Sequence, residues 1–369
     1  MLLKKRPKIL YLSKKGRRQR IKSGGPSEFM FGLIELQAKG WSVDLLEDED
    51  IGLIAPKNRS FFGLVNHAFN ALIGVPIATL ASLWRWTDLD TLKFYDLVVV
   101  TTNSFGICVG LMKVFGRLNT PVIFIAMGLI EKNTSSIKTL IFRRILYPLR
   151  VLSLSKNEAA FLRRRLGIPV EYIPFGIDIN FWKPMPSKQR NFFVDEYVIS
   201  IGNDRHRDYD TLIKAWKISY PKLLIITKLK TPKLKPNILV YEGDWQTEVF
   251  DDQKIREIIN DAKFVIVPVK QTFQPSGQSV ILQAMACGKA SIVNDFDGLW
   301  DRNVMIDKVN CVFSGVPGSI SNLQGAVEWL NHNDEERLRI GARARSTVID
   351  NLNSSEMATC LSKQINELI

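Results

Sequence analysis

At 369 residues the chain is long for one domain and suits two of about 180 residues each, and 46% hydrophobic residues with 10% aromatics can fill two cores, which excludes disorder as its default state. The formal net charge is +13, all of it within residues 1–185, which carry 27 Lys and Arg against 14 Asp and Glu, while the remainder carries 23 of each. A basic half of this kind admits nucleic acid, an anionic membrane surface or an acidic substrate as partner, but without a helix-turn-helix, zinc-finger or RNA-motif pattern nucleic acid is set aside.

Four cysteines (Cys108, Cys287, Cys311 and Cys360) form no CxxC pair, and with three histidines they offer no zinc-site spacing. Free thiols predict a reducing compartment. Near the N-terminus the apolar run 9–13 is too short for a signal-peptide core and Lys14-Lys15 follows it, so a cytoplasmic protein is expected.

In chain order, KILYLS at 8–13 predicts a first strand. A basic loop follows, with ten Lys and Arg from Lys4 to Lys22, then Ser23-Gly24-Gly25-Pro26-Ser27 and an amphipathic helix over 28–38. Gly40 ends that helix and 41–46 read as the second strand. Strand, glycine-rich loop and helix in this order open a Rossmann-like unit. Residues 60–84 are 25 positions without a formal charge, between Arg59 and Arg85. Asn66, His67, Asn70 and Pro76 interrupt the stretch, so a buried or interfacial helical hairpin is expected rather than a bilayer span. Further strands are predicted at 97–101, 121–126 and 151–154, with helices at 107–115 and 157–166. Asn103 and Ser104, just past a strand, serve equally as turn residues or as acceptor contacts.

A polar, Pro-bearing stretch at 184–195 reads as a linker. The pattern then restarts, with strands at 197–202, 223–227 and 238–241 and helices at 209–218 and 253–261. Next comes the most informative segment, FQPSGQSVILQAMACGKASIVND at 273–295. An apolar strand at 263–269 leads into the Pro275-Ser276-Gly277 turn and an uncharged helix to Ala286. Cys287-Gly288 supplies a left-handed stop, and a strand follows at 290–293. Such a turn aims the N–H groups of Ser276, Gly277, Gln278 and Ser279 beyond the strand, where the helix terminus favours an anion. The same geometry also suits an ordinary βαβ crossover. Helices at 319–331 and 334–350 and an amphipathic tail at 354–369 complete the chain.

The segment from Gln274 to Gly288 resembles the donor-binding segment of retaining glycosyltransferases of family 4, whose pattern is a Glu, a glycine turn, a helix with a second Glu eight residues on, and Ala-Met-Ala-x-Gly. Gln283-Ala284-Met285-Ala286-Cys287-Gly288 matches its second half, with Gln283 in place of the second Glu. Matching Gly277 to the turn glycine puts the first Glu at Gln274, with one extra residue in the helix; keeping the spacing puts it at Pro275. Ile173-Pro174-Phe175-Gly176-Ile177-Asp178, with Phe181 and Pro184, is similar to the family's interdomain stretch.

The resemblance implies an α/β protein of the GT-B fold, two Rossmann-like domains facing across a cleft: an acceptor domain (1–183), a linker (184–195), a nucleotide-sugar domain (196–352) and a C-terminal helix (353–369) crossing back to the first domain. It implies a retaining hexosyltransferase that uses a UDP- or GDP-sugar as co-substrate and needs neither cofactor nor metal. Its Asp-x-Asp-like strings, at 48–50, 88–90 and 295–297, lie outside the metal-binding context of GT-A enzymes. The family holds the donor diphosphate with an Arg and a Lys in the loop after the first strand of the second domain, which places Asn203 and Arg207 there. Gln274 and Arg207 become the candidate catalytic residues, and Gly24, Gly25, Arg207, Lys228, Ser276, Gly277, Gln278, Ser279 and Gln283 the donor-binding set. A neutral amide at Gln283 still hydrogen-bonds sugar or ribose hydroxyls. No His follows the strand ending Ala126-Met127-Gly128, where many members carry one. Expected partners are a glycan or lipid-linked acceptor, in polysaccharide, lipopolysaccharide or glycolipid assembly, and an anionic membrane, with the protein peripheral on the inner face of the plasma membrane. The rival expectation is a non-catalytic scaffold of the same fold.

Overall fold

The computed structural model describes residues 7–52, 69–70, 72–75, 77–87, 91–186, 196–243 and 250–369. The chain forms two compact units, Met1–Pro174 with Met357–Ile369, and Phe175–Glu356. The division after Pro174 groups residues 175–183 with the second unit. Most of the expected linker and residues 60–68, 71 and 76 of the uncharged stretch lie outside the described residues.

In the first unit six parallel strands run in the order β2-β1-β3-β4-β5-β6: β1 Lys8–Ser13, β2 Ser42–Glu47, β3 Leu97–Val100, β4 Val122–Ala126, β5 Arg150–Ser153 and β6 Val170–Tyr172. Every residue of β3 and β4 is buried, as unbroken β-branched and aromatic runs require when helices cover both faces of a sheet. Helices Asn103–Val114, Ser136–Leu146 and Lys156–Leu166 begin at Thr102, Ser135 and Ser155, whose hydroxyls each accept the N–H three residues on. Met357, Ala358, Leu361 and Ile365 of the C-terminal helix Ser354–Asn366 are fully buried, and Gln364 donates to Glu171 at 2.7 Å.

The second unit repeats the plan in the order β12-β11-β10-β7-β8-β9, again all parallel: β7 Tyr197–Ile201, β8 Lys222–Thr227, β9 Ile238–Glu242, β10 Val265–Val267, β11 Ser291–Val293 and β12 Val312–Phe313. Trp216, Leu223, Phe264 and Ile292 anchor its core under helices Tyr209–Ala215 and Ile320–His332.

Three features depart from expectation. The basic loop after β1 contains a helix, Arg17–Lys22. Its first N–H groups are met from afar, because the buried Glu47 carboxylate accepts from Gly16 N at 3.1 Å and Arg18 N at 2.6 Å. The helix expected over 28–38 is broken at Phe31 and Gly32, both left-handed, into a 3-10 turn, Glu28–Met30, and a helix, Leu33–Ala38. The helix Ser136–Leu146 and the short edge strands β6 and β12 were not anticipated. Among the described residues no helix is long and apolar enough to cross a membrane.

Candidate functional site

In open parallel sheets ligands gather beyond the carboxyl ends of the strands where the strand order reverses. That point lies between β1 and β3 in the first unit and between β7 and β10 in the second. Two helix N-termini flank each, and side chains cap three of the four. Glu47 closes Arg17–Lys22, Thr102 caps Asn103–Val114, and Asp208 caps Tyr209–Ala215. Gln278–Ala286, after β10, starts at Gly277 with no side-chain cap and no acid in its first turn. Helix dipole and free N–H groups therefore favour an anion at this terminus.

Arg207 lies beneath it. Its residue is 5% exposed, and Nη1 is buried without a protein acceptor. A β-carbon at Gly202 would sit 2.0 Å from Arg207 Nε, and one at Gly277 would sit 2.5 Å from Nη1. Two glycines thus make room for the guanidinium. The loops after β7 and β10 are zipped together: Arg207 bridges Val269, Asp208 N donates to Pro268 O at 3.1 Å, and Lys270 N donates to His206 O at 2.8 Å. Asp204 holds the assembly. One of its oxygens pairs with Arg207 Nε at 3.3 Å, and the other accepts from Ser276 Oγ at 2.8 Å and His206 N at 2.9 Å. Tyr209 and Thr227 donate to the Gly202 carbonyl at 2.9 and 2.7 Å, fixing the start of the loop. Burial raises the Tyr209 phenol above its ordinary pKa, so it stays a donor.

The other expected residues fall as follows. Within the turn, Ser276 N donates to Gln274 O at 2.7 Å and Gln278 N to Pro275 O at 3.2 Å. The four N–H groups expected to be available therefore reduce to those of Gly277 and Ser279, because the tight turn takes up the others. Gln278 and Gln283 are buried on the helix, at 5% and 6% exposure. Gln274 N donates to Thr272 Oγ1 at 3.1 Å. Gly288 ends the helix in the left-handed conformation, and Lys289 N returns to Ala284 O. Asn203, at the family's Arg position, donates to Gly243 O at 2.7 Å and accepts from Lys228 N at 2.6 Å, tying together the loops that follow β7, β8 and β9.

In the first unit Gly24 and Gly25 close the helix Arg17–Lys22, donating to Ile21 O and Arg20 O. Asn103 and Ser104 are the first residues of a helix, not turn residues. The Asn103 carboxamide is engaged both ways with the Met127 backbone, at 2.7 and 3.3 Å. The Asp-x-Asp-like strings are engaged in part: Asp50 pairs with Arg18 at 2.7 Å and Asp295 with Arg302, while residues 88–90 lie outside the described residues.

Sequence reasoning missed Asp204 and Glu158. Asp204 stands three residues before Arg207, which was the available signal. Glu158 is buried and accepts from Gly128 N at 2.6 Å, Ser153 Oγ at 2.8 Å and Leu129 N. Burial outweighs those donors and pushes its carboxyl up to about 7. The group clamps the turn after β4, where the family's His was sought.

No family model matches the sequence, and no curated protein matches it significantly. Solved structures do resemble it along nearly its whole length. Sucrose-phosphate synthase from Thermosynechococcus elongatus has a TM-score of 0.73 at 18% identity, covering 98% of this chain and 99% of that one. A glycosyltransferase from Rickettsia africae has 0.69 at 12% identity, covering 98% of each. Anabaena HepE, in complex with UDP-glucose, has 0.68 at 13% identity, covering 98% of this chain and 100% of that one. The chain has the α/β architecture of the GT-B fold.

Proposed function

We propose that the protein is a glycosyltransferase that moves a hexose-type sugar from a nucleotide-sugar to a glycan or lipid-linked acceptor, with retention and without a metal. The observation that carries this is the buried Arg207 guanidinium beneath the uncapped N-terminus of Gln278–Ala286. Charge-assisted hydrogen bonds from a guanidinium and from backbone N–H groups suit a diphosphate. The same groups lower the free energy of the departing nucleoside diphosphate as negative charge develops on it, the role a metal plays elsewhere. Gln283 and Gln278, on the same helix, would meet ribose or sugar hydroxyls as neutral donors and acceptors. Without a carboxylate at Gln274, the donor's own phosphate oxygen takes the acceptor proton on the face the leaving group vacates, which gives retention.

The solved complex of HepE with UDP-glucose supports a UDP-linked donor. The basic first unit favours an anionic or lipid-linked acceptor, hence polysaccharide, lipopolysaccharide or glycolipid assembly at the cytoplasmic face of a membrane. The test is a thermal-shift panel of UDP- and GDP-sugars, followed by release of free nucleotide with and without chelator. Stabilisation by one donor and chelator-resistant release are expected. No stabilisation and no release would leave a non-catalytic scaffold.

A further inference from the structure

The helix Ser136–Leu146 is apolar on two faces. Phe142, Ile145 and Leu146 enter the core of the first unit. On the other side Ile137, Leu140 and Tyr147 are 70%, 65% and 71% exposed. Tyr147 keeps helical backbone angles, so at helical spacing these three and Arg144 fall on one outward stripe. Isolated exposed apolar residues are ordinary, but a stripe of them marks an interaction surface.

The segment that carries the stripe is basic, with Glu131 just before it. Residues 132–157 contain six Lys and Arg and no Asp or Glu. Arg165 of the neighbouring helix donates to Thr134 O at 2.7 Å, which brings a further cation to the head of this one. Crossover helices of a parallel sheet all run one way, so the next helix, Asn103–Val114, ends at the same edge as Tyr147. Phe115 there is 64% exposed, with its ring 6.0 Å from Trp84, and Arg117 lies over Trp84 at 5.2 Å. The apolar-and-basic character therefore extends across two neighbouring helices.

We propose that this face of the first unit docks on an anionic lipid bilayer. Ile137, Leu140 and Tyr147 enter between the headgroups, and Arg144 meets lipid phosphates while its stem follows the apolar stripe. A second copy of the chain would set like charge against like charge, and a polyanion would give Ile137 and Leu140 nothing to bury against. An anionic bilayer satisfies both characters of the surface. The docking element is the helix Ser136–Leu146, with Trp84 of the 60–84 stretch on the neighbouring part of the same face, and it is independent of the donor site.

Flotation of the purified protein with phosphatidylcholine vesicles, and with vesicles mixing phosphatidylcholine and phosphatidylglycerol, tests this. The wild type should float with the mixed vesicles only. Combining Ile137→Ser, Leu140→Ser and Tyr147→Ser should weaken binding at least about tenfold and leave a remnant that salt abolishes. Arg144→Glu should also weaken it at least about tenfold. Melting temperatures near wild type establish that the variants are folded, and sedimentation velocity reports self-association. Wild-type flotation by either folded variant overturns the proposal. So does equal binding to both vesicle types, or a wild-type oligomer that the triple substitution dissociates.

Discussion

Arg207 and Gly277 are packed so closely that any side chain on the glycine would meet the guanidinium, at 2.5 Å from Nη1. Gly277 also sits at φ 82°, where a β-carbon is strained. Gly277→Ala therefore displaces Arg207 and tilts the start of Gln278–Ala286 together. Nucleotide-sugar affinity should fall at least about tenfold by calorimetry, in line with the roughly 1.5–3 kcal/mol of a charge-assisted phosphate contact. Wild-type affinity would mean that the anion binds elsewhere.

Arg207→Ala should weaken donor binding by about 1.5–3 kcal/mol, the loss of a charge-assisted phosphate contact. The variant also leaves Asp204 without its cation beside an incoming anion. Adding Asp204→Asn should then recover part of the affinity, a coupling that a double-mutant cycle reads directly. Strict additivity would show that Asp204 does not act through Arg207.

Gln283→Leu should raise the donor's dissociation constant, because a buried leucine offers ribose no partner. Gln283→Glu should retain most donor binding, since a carboxylate accepts the same hydroxyls. If both behave as wild type, the helix is matched to the donor in the wrong register.

Glu158 makes stability depend on pH. Its carboxyl is pushed up to about 7 by burial, above an unfolded value near 4.3. The folded chain therefore binds the proton more tightly. Its contribution is complete below the unfolded value, declines as pH rises to about 7, and is flat above, a total on the order of 3 kcal/mol. Glu158→Gln can donate to Ser153 and accept from Gly128 as the protonated acid does. It should remove that slope and be the more stable form at pH 8, as measured by denaturant unfolding across the range. A wild-type slope in the variant would clear Glu158.

Arg345 donates to the carbonyls of Trp182 at 2.7 Å, Ala286 at 2.5 Å and Ile179 at 3.3 Å. It closes the C-terminus of the helix Gln278–Ala286, where a cation is favoured. Arg345→Met should lower stability by about 2–3 kcal/mol by leaving those carbonyls unpaired. A midpoint unchanged in denaturant would refute this.

The centre of each sheet was legible because buried parallel strands such as Leu97–Val100 are written as unbroken apolar runs. The turn at Gly277 and the stop at Gly288 were legible because left-handed positions select glycine. What escaped depends on partners distant in sequence. The helix Arg17–Lys22 reads as a charged loop until Glu47 is brought to its N-terminus. Asn203 looked like a weakened phosphate ligand because its bonds to Gly243 and Lys228 join loops that are separate in the sequence. Ser136–Leu146 was hidden because apolar residues on two faces blur the single-stripe period that reveals a helix.

The three side-chain caps around the two switch points also make the molecule asymmetric in chemistry where it is symmetric in topology. Glu47 puts a carboxylate on the helix terminus beside the switch point of the first sheet, where the free N–H groups would otherwise favour an external anion. A nucleotide arriving at that half would meet a tethered competitor of its own charge, whose local concentration no free metabolite can match. On the proposed function, the duplicated architecture would thus offer two similar crevices to one pool of nucleotides while favouring binding in the second alone. One nucleotide per chain is the stoichiometry expected on that function, because the matching helix terminus of the first unit is already closed by a carboxylate.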